Sequence, residues 1–196
     1  VSLSTTTGIR GSSVVITGTT FTGATAVKFN GVSAVYTVHN DSQITATVPP
    51  TATTGNLQIT GPGGTSNTLA FTVILPPTTS SLVPSSGPVG TVVTVNGANL
   101  LGSTNVSFNG ADATPNTITA GSLKATVPAN ATSGVVTVTN PAGPGKTLTF
   151  KVTPKIVSLS TTTKIHNSTV VLSKTTCTIA TSVKFNGVSA AYAVDN

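Results

Sequence analysis

The chain has 196 residues, 37% apolar and only 6% charged, with a formal net charge of +6. That apolar share can build small cores and excludes a wholly disordered chain. The charge lies far below the roughly 25% of charged residues in an average soluble protein, and its basic residues are scattered without a run. A nucleic-acid interface, which concentrates positive charge, is therefore not expected. No stretch approaches the ~20 apolar residues of a membrane span, so no membrane insertion is expected in this segment.

Glu is absent, and Asp stands only at 41, 112 and 195. Polarity comes from Thr, Ser and Asn, a surface common on secreted and cell-surface proteins. The single Cys177 allows no disulfide within the chain. The sequence starts at Val1 without Met and carries no signal peptide, so it reads as a segment or mature portion of a longer product.

In chain order, the first predicted strand is the β-branched run Ser13 to Thr17. Thr25 to Phe29 is a second. Asn30-Gly31 follows, the strongest short hairpin signal, because a type I′ turn needs positive φ at both central residues. Val32, Ala34, Tyr36 and Val38 alternate with polar residues, which turns one face inward. Gln43 to Val48 is the next strand, closed by Pro49-Pro50. Leu57 to Thr60 and Leu69 to Val73 complete the set. No helical period occurs anywhere.

The same order then returns. VKFNGVSA at Val27–Ala34 recurs unchanged at Val183–Ala190, with a looser copy, VSFNGADA, at Val106–Ala113. Thr47-Val48-Pro49 matches Thr126-Val127-Pro128, and Phe71-Thr72-Val73 matches Phe150-Lys151-Val152. Val1–Asn40 matches Val157–Asn196. Two full repeats are expected at 1–75 and 80–153, and the N-terminal half of a third at 155–196. The hairpin turns would be Asn30-Gly31, Asn109-Gly110 and Asn186-Gly187. The fold class is all-β: tandem immunoglobulin-like β-sandwiches of about seven short strands each, with the third copy incomplete.

Pro84-Ser85-Ser86-Gly87-Pro88-Val89-Gly90-Thr91, Val95-Asn96-Gly97-Ala98-Asn99-Leu100 and Val106-Ser107-Phe108-Asn109-Gly110 resemble the IPT/TIG family of immunoglobulin-like domains. The first repeat matches along Ile16 to Gly23 and on to Thr47-Val48-Pro49. The resemblance covers nearly the whole chain. It implies the sandwich fold. Members occur in tandem arrays on bacterial surfaces, in receptor ectodomains, in some transcription factors and in sugar-processing enzymes, so it leaves function open.

Catalytic chemistry finds little to use. His39 and His166 are the only histidines and read as exposed. The Asp residues are too dispersed for a glycosidase pair or a calcium cluster. Cys177 and His166 are too few for zinc. No enzyme, metal or cofactor is expected. Lys28 and Lys184 read as outward lysines between inward Val and Phe. Tyr36 and Tyr192 read as half-buried sandwich residues rather than sugar platforms. Asn40, Asn105, Asn130 and Asn167 match the glycosylation pattern, as chance matches would in so Thr- and Asn-rich a chain.

The third copy departs from the first. Gly8, Gly11, Gly18 and Gly23 become Lys164, Asn167, Lys174 and Ile179, and Phe21 becomes Cys177. The glycines are expected in turns with positive φ. Cys177 would fill part of a core Phe site, or pair between chains. Counterparts of Ile44, Val48, Leu57, Ile59, Leu69 and Phe71 are not in the sequence after Asn196. The face carrying Val183, Phe185, Val188, Tyr192 and Val194 is therefore an expected assembly edge, covered by further repeat polypeptide or by another chain.

Pro76-Pro77 and Pro154 stiffen the connections, and a semi-rigid row of small sandwiches is expected. The leading reading is a non-catalytic extracellular stalk, spacer or filament segment on a microbial surface or virion. Its partners would be neighbouring repeats or copies of itself. The second is an adhesin or a receptor- or glycan-binding array, its partner a cell-surface molecule or glycan, with contacts on loops such as Ala111–Ala120 or Gly61–Asn67. The third is an accessory part of a larger surface enzyme.

Overall fold

The computed structural model describes residues 1–159, 169–175 and 182–193. It divides into two compact units, Val1–Pro76 and Pro77–Asn196. Every regular element among the described residues is a β-strand.

In the first unit one sheet runs β1 (Ser2–Leu3), β3 (Ser13–Thr17), β7 (Gln43–Thr47), β6 (Tyr36–Asn40). The other runs β2 (Thr7–Ile9), β10 (Leu69–Ile74), β8 (Gly55–Gly61), β4 (Ala26–Phe29), β5 (Val32–Ser33), with β9 (Gly64–Thr65) on β8. The first strand crosses between sheets: β1 pairs antiparallel with β3, and β2 pairs parallel with β10. Alternation does the rest. Val14 and Ile16 from β3, Ile44 and Ala46 from β7, Val27 and Phe29 from β4, and Leu57 and Ile59 from β8 meet in one buried core. Phe29 and Phe71 pack edge to face, with centroids 5.0 Å apart.

The second unit holds the same design. One sheet is β11 (Thr78–Val83), β13 (Val92–Ala98), β16 (Ser122–Thr126). The other is β12 (Ser86–Gly87), β19 (Leu148–Val152), β17 (Gly134–Asn140), β14 (Asn105–Phe108), β15 (Ala111–Ala113), with β18 (Gly143–Pro144) on β17. Phe108 and Phe150 repeat the aromatic pair at 5.6 Å. No counterpart of β6 forms; a single bridge, Asn116 to Lys124, stands in its place. Sequence patterning anticipates the central strands but not the split first strand, which is too short to show a period.

In the third copy, β20 (Lys155–Leu159) pairs β21 (Leu172–Thr175), and β22 (Val183–Phe185) pairs β23 (Val188–Ala190). β20 carries an irregularity between Ile156 and Ser158, as β11 does between Thr79 and Ser81. Lys164, His166, Asn167, Cys177, Ile179, Val194 and Asp195 lie outside the described residues.

The glycine reading needs correction. Of Gly8, Gly11, Gly18 and Gly23, only Gly11 has positive φ, at 85°. The others are glycine because of neighbours. A Cβ on Gly18 would stand 2.5 Å from the Phe21 ring, and one on Gly23 3.0 Å from Pro62. On Gly8 it would meet the Ser12 hydroxyl at 2.8 Å. Close packing, not turn geometry, excludes a side chain there.

Candidate functional site

All three Asn-Gly pairs sit in two-residue hairpin turns. φ is 45° and 83° at Asn30-Gly31, 49° and 90° at Asn109-Gly110, and 48° and 82° at Asn186-Gly187. Phe29 faces Val32, Phe108 faces Ala111, and Phe185 faces Val188 across them. In the two full sandwiches the Asn side chain does a second task. The Asn30 amide donates to the Thr53 hydroxyl at 2.8 Å, and the Asn109 amide to that of Thr132 at 2.7 Å. A Cβ on Gly55 or Gly134 would collide with that Asn side chain. The pattern of Asn, Thr and Gly thus locks each turn to the loop entering the neighbouring strand, a coupling no local signal reveals.

A depression of about 430 Å³ lies in the first sandwich. Its walls are the Thr19–Ala24 loop and the Gly61–Ser66 hairpin, with Val1 at one end and Asp41 inside. The Thr19–Ala24 loop turns sharply at Thr20, whose φ is 61°. That region strains a β-branched residue. Asp41 holds the turn: its carboxylate accepts the Thr20 amide at 3.2 Å and the Thr22 hydroxyl at 2.9 Å. The Thr22 hydroxyl first, then the Thr22 and Thr20 amides, keep the Asp41 carboxyl below its ordinary pKa. The Asp112 carboxyl is also lowered, chiefly by the Asn105 amide 2.9 Å away. Sequence reading assigned Asp41 no role; its partners lie about twenty residues away.

The depression is a rim of hydroxyls around one carboxylate, with its aromatic, Phe21, buried. His39 is exposed on β6, 2.9 Å from the Thr45 hydroxyl. Among the described residues no group of three or more His, Cys, Asp or Glu gathers. No helix there is long and apolar enough to cross a membrane. Lys28 points outward between buried Val27 and Phe29. Tyr36 is half-buried and donates to the Ala24 carbonyl at 3.0 Å. Tyr192 differs from that expectation at 44% exposure. Of the Gly61–Asn67 loop, Gly61–Ser66 line the depression, whereas Ala111–Ala113 is strand, so only the residues after it form a loop.

On the expected assembly edge, Val183 is half-buried, while Phe185, Val188 and Tyr192 are exposed. Val27 and Phe29, the counterparts of Val183 and Phe185, are buried in the core that β4 shares with β3 and β7 of the facing sheet, with β8 paired beside β4. Among the described residues β22 and β23 pair only with each other.

Two face-to-face sheets, with a first strand that switches sheets and ends parallel to the last, define an immunoglobulin-like module. The chain belongs to the IPT/TIG family: the IPT/TIG domain model matches residues 1–73 and 77–163. No curated protein matches the chain. Several solved structures are similar to it. One is SGBP-B from a xyloglucan utilization locus of Bacteroides uniformis, at 20% identity and TM-score 0.40, covering 77% of this chain and 48% of that one. Another is the extracellular region of plexin A4, at 21% identity and TM-score 0.46, covering 78% and 18%. A third is the gamma-CGTase of alkalophilic Bacillus clarkii, at 17% identity and TM-score 0.34, covering 75% and 24%. The chain spans less than half the length of each.

Proposed function

We propose that the chain is a non-catalytic stretch of tandem IPT/TIG sandwiches, serving as a stalk, spacer or filament segment outside the cell. The carrying observation is the shortness of the connections. β10 ends at Ile74 and β11 begins at Thr78; β19 ends at Val152 and β20 begins at Lys155. Each gap contains proline, so little chain is left to act as a flexible tether. The sparse charge and hydroxyl-rich surface support an extracellular place. Small-angle scattering tests the reading. The expected result is an elongated particle that becomes more flexible when Pro76-Pro77 is replaced by Gly-Gly. A compact particle would sink it.

Self-association belongs to the same proposal. The edge of β22 away from β23, beside exposed Phe185, Val188 and Tyr192, would accept a strand with the sequence of β8. A peptide copying Gly55–Gly61 is expected to slow amide exchange across 183–190; no effect on exchange would count against that face. A second reading, glycan binding, is favoured only by the exposed Gly61–Ser66 rim beside Asp41. Glycan-array signal lost on replacing that rim would turn the assignment toward it.

A further inference from the structure

The depression beside Asp41 corresponds to a place that the second sandwich fills with its own chain. There β11 extends past the point where β1 begins. Thr79 stands opposite Gly97 and Thr78 opposite Ala98. The Thr79 hydroxyl donates to the Lys146 carbonyl. A Cβ on Gly97 would run into the Thr78 carbonyl, and one on Gly145 into that of Pro77. By the repeat, Gly18 matches Gly97, Thr19 matches Ala98, and Ser66 matches Gly145. In the first sandwich the pairing of β1 with β3 stops at Ser2 opposite Thr17. Thr19 and Ser66 then line the depression, with Val1 at its end. The register of the filling segment repeats as well. Pro77 and Pro154 stand at one position relative to Ser80 and Val157, the counterparts of Val1.

We propose that this depression is an acceptor groove for an extended Pro-Thr-Thr-type strand joined directly to Val1 and laid antiparallel along Gly18 and Thr19. The proposal rests on the fold and the internal repeat, not on the spacer reading. Gly97 donates its amide to Gly121, and Gly18 likewise donates to Ser42, so both turn that bond away from the incoming strand. The next residue faces the other way: the Thr78 hydroxyl lies 3.4 Å from the Ala98 carbonyl. Thr19 should therefore receive the strand through its backbone. Two differences tune the fit. Ser66 adds a Cβ where Gly145 is bare, which pushes the proline carbonyl outward. Asp41 replaces Ala120, but its carboxylate is occupied by Thr20 and Thr22.

The test uses the full chain with either Pro-Pro-Thr-Thr or Gly-Ser-Gly-Gly added before Val1. Native-state hydrogen exchange should slow at the Thr19 amide by about tenfold or more with the first extension and not with the second. Ser66→Gly should enlarge that difference, because it restores the bare glycine of the second sandwich. Equal exchange at Thr19 with both extensions would overturn the proposal. So would slow, concentration-dependent exchange in the unextended chain, since a second copy would then be the occupant.

Discussion

Thr20 and Asp41 show how one residue can hold a loop in place. Thr20 has φ of 61°, and its counterpart Asn99 has 58°. Asn tolerates that region far better than a β-branched residue. Thr20→Asn should therefore stabilise the first sandwich by about 1 kcal/mol, measured by denaturant unfolding. Asp41 makes stability depend on pH. Its folded pKa lies below its unfolded value, so its contribution is present above the ordinary carboxylate range. It fades as pH falls through the folded value. Asp41→Asn should flatten the acid side of the stability profile from the ordinary carboxylate range downward, by a modest amount because the group is exposed. An unchanged profile would mean the Thr20 and Thr22 contacts do not favour the ionised form.

At the scale of an element, the Asn-Gly hairpin is a clamp as well as a turn. Asn30→Ala removes a residue suited to positive φ and leaves the Thr53 hydroxyl without its donor. A loss of about 1–2 kcal/mol is expected, and Thr53→Ala should add little to it in a double-mutant cycle. The strand end at Gly18 offers a second cycle. The third copy carries Lys174 and Cys177 where the first has Gly18 and Phe21, and in the first those two positions touch. Gly18→Lys should be strongly destabilising alone, because its Cβ meets the Phe21 ring. Combined with Phe21→Cys the cost should fall short of the sum by about 1 kcal/mol or more. Additive losses would show that the two changes are independent.

For the molecule as a whole, each sandwich closes its own core around one edge-to-face phenylalanine pair. Phe29→Ala should cost the first sandwich about 3–5 kcal/mol. Hydrogen exchange should accelerate at Val14 and Ile44, which share that core, while Val93 and Leu123 report on the other. The same readout with Phe108→Ala should be reversed. If Phe29→Ala loosened both cores equally, the two units would be unfolding as one.

Much was readable from residues alone, for a local reason. Period-two alternation places Val14 and Ile16, and Val27 and Phe29, on one face of their strands, although the same alternation leaves Phe185 exposed, so burial itself needs the facing sheet. Positive φ at Asn30-Gly31 follows from a two-residue turn between right-twisting strands. Repetition made the same reading hold along the chain and carried the family resemblance. The candidate groove was not readable. Asp41 gains its role only when folding brings it to Thr20 and Thr22. Gly18 and Gly23 are glycine because of a ring and a proline that sequence distance hides. The split of the first strand between two sheets, and the place that Pro77–Thr79 fill beside Gly97 and Gly145, depend on register between distant strands. Local propensity carries no information about that register, so only the packed sheets could decide it.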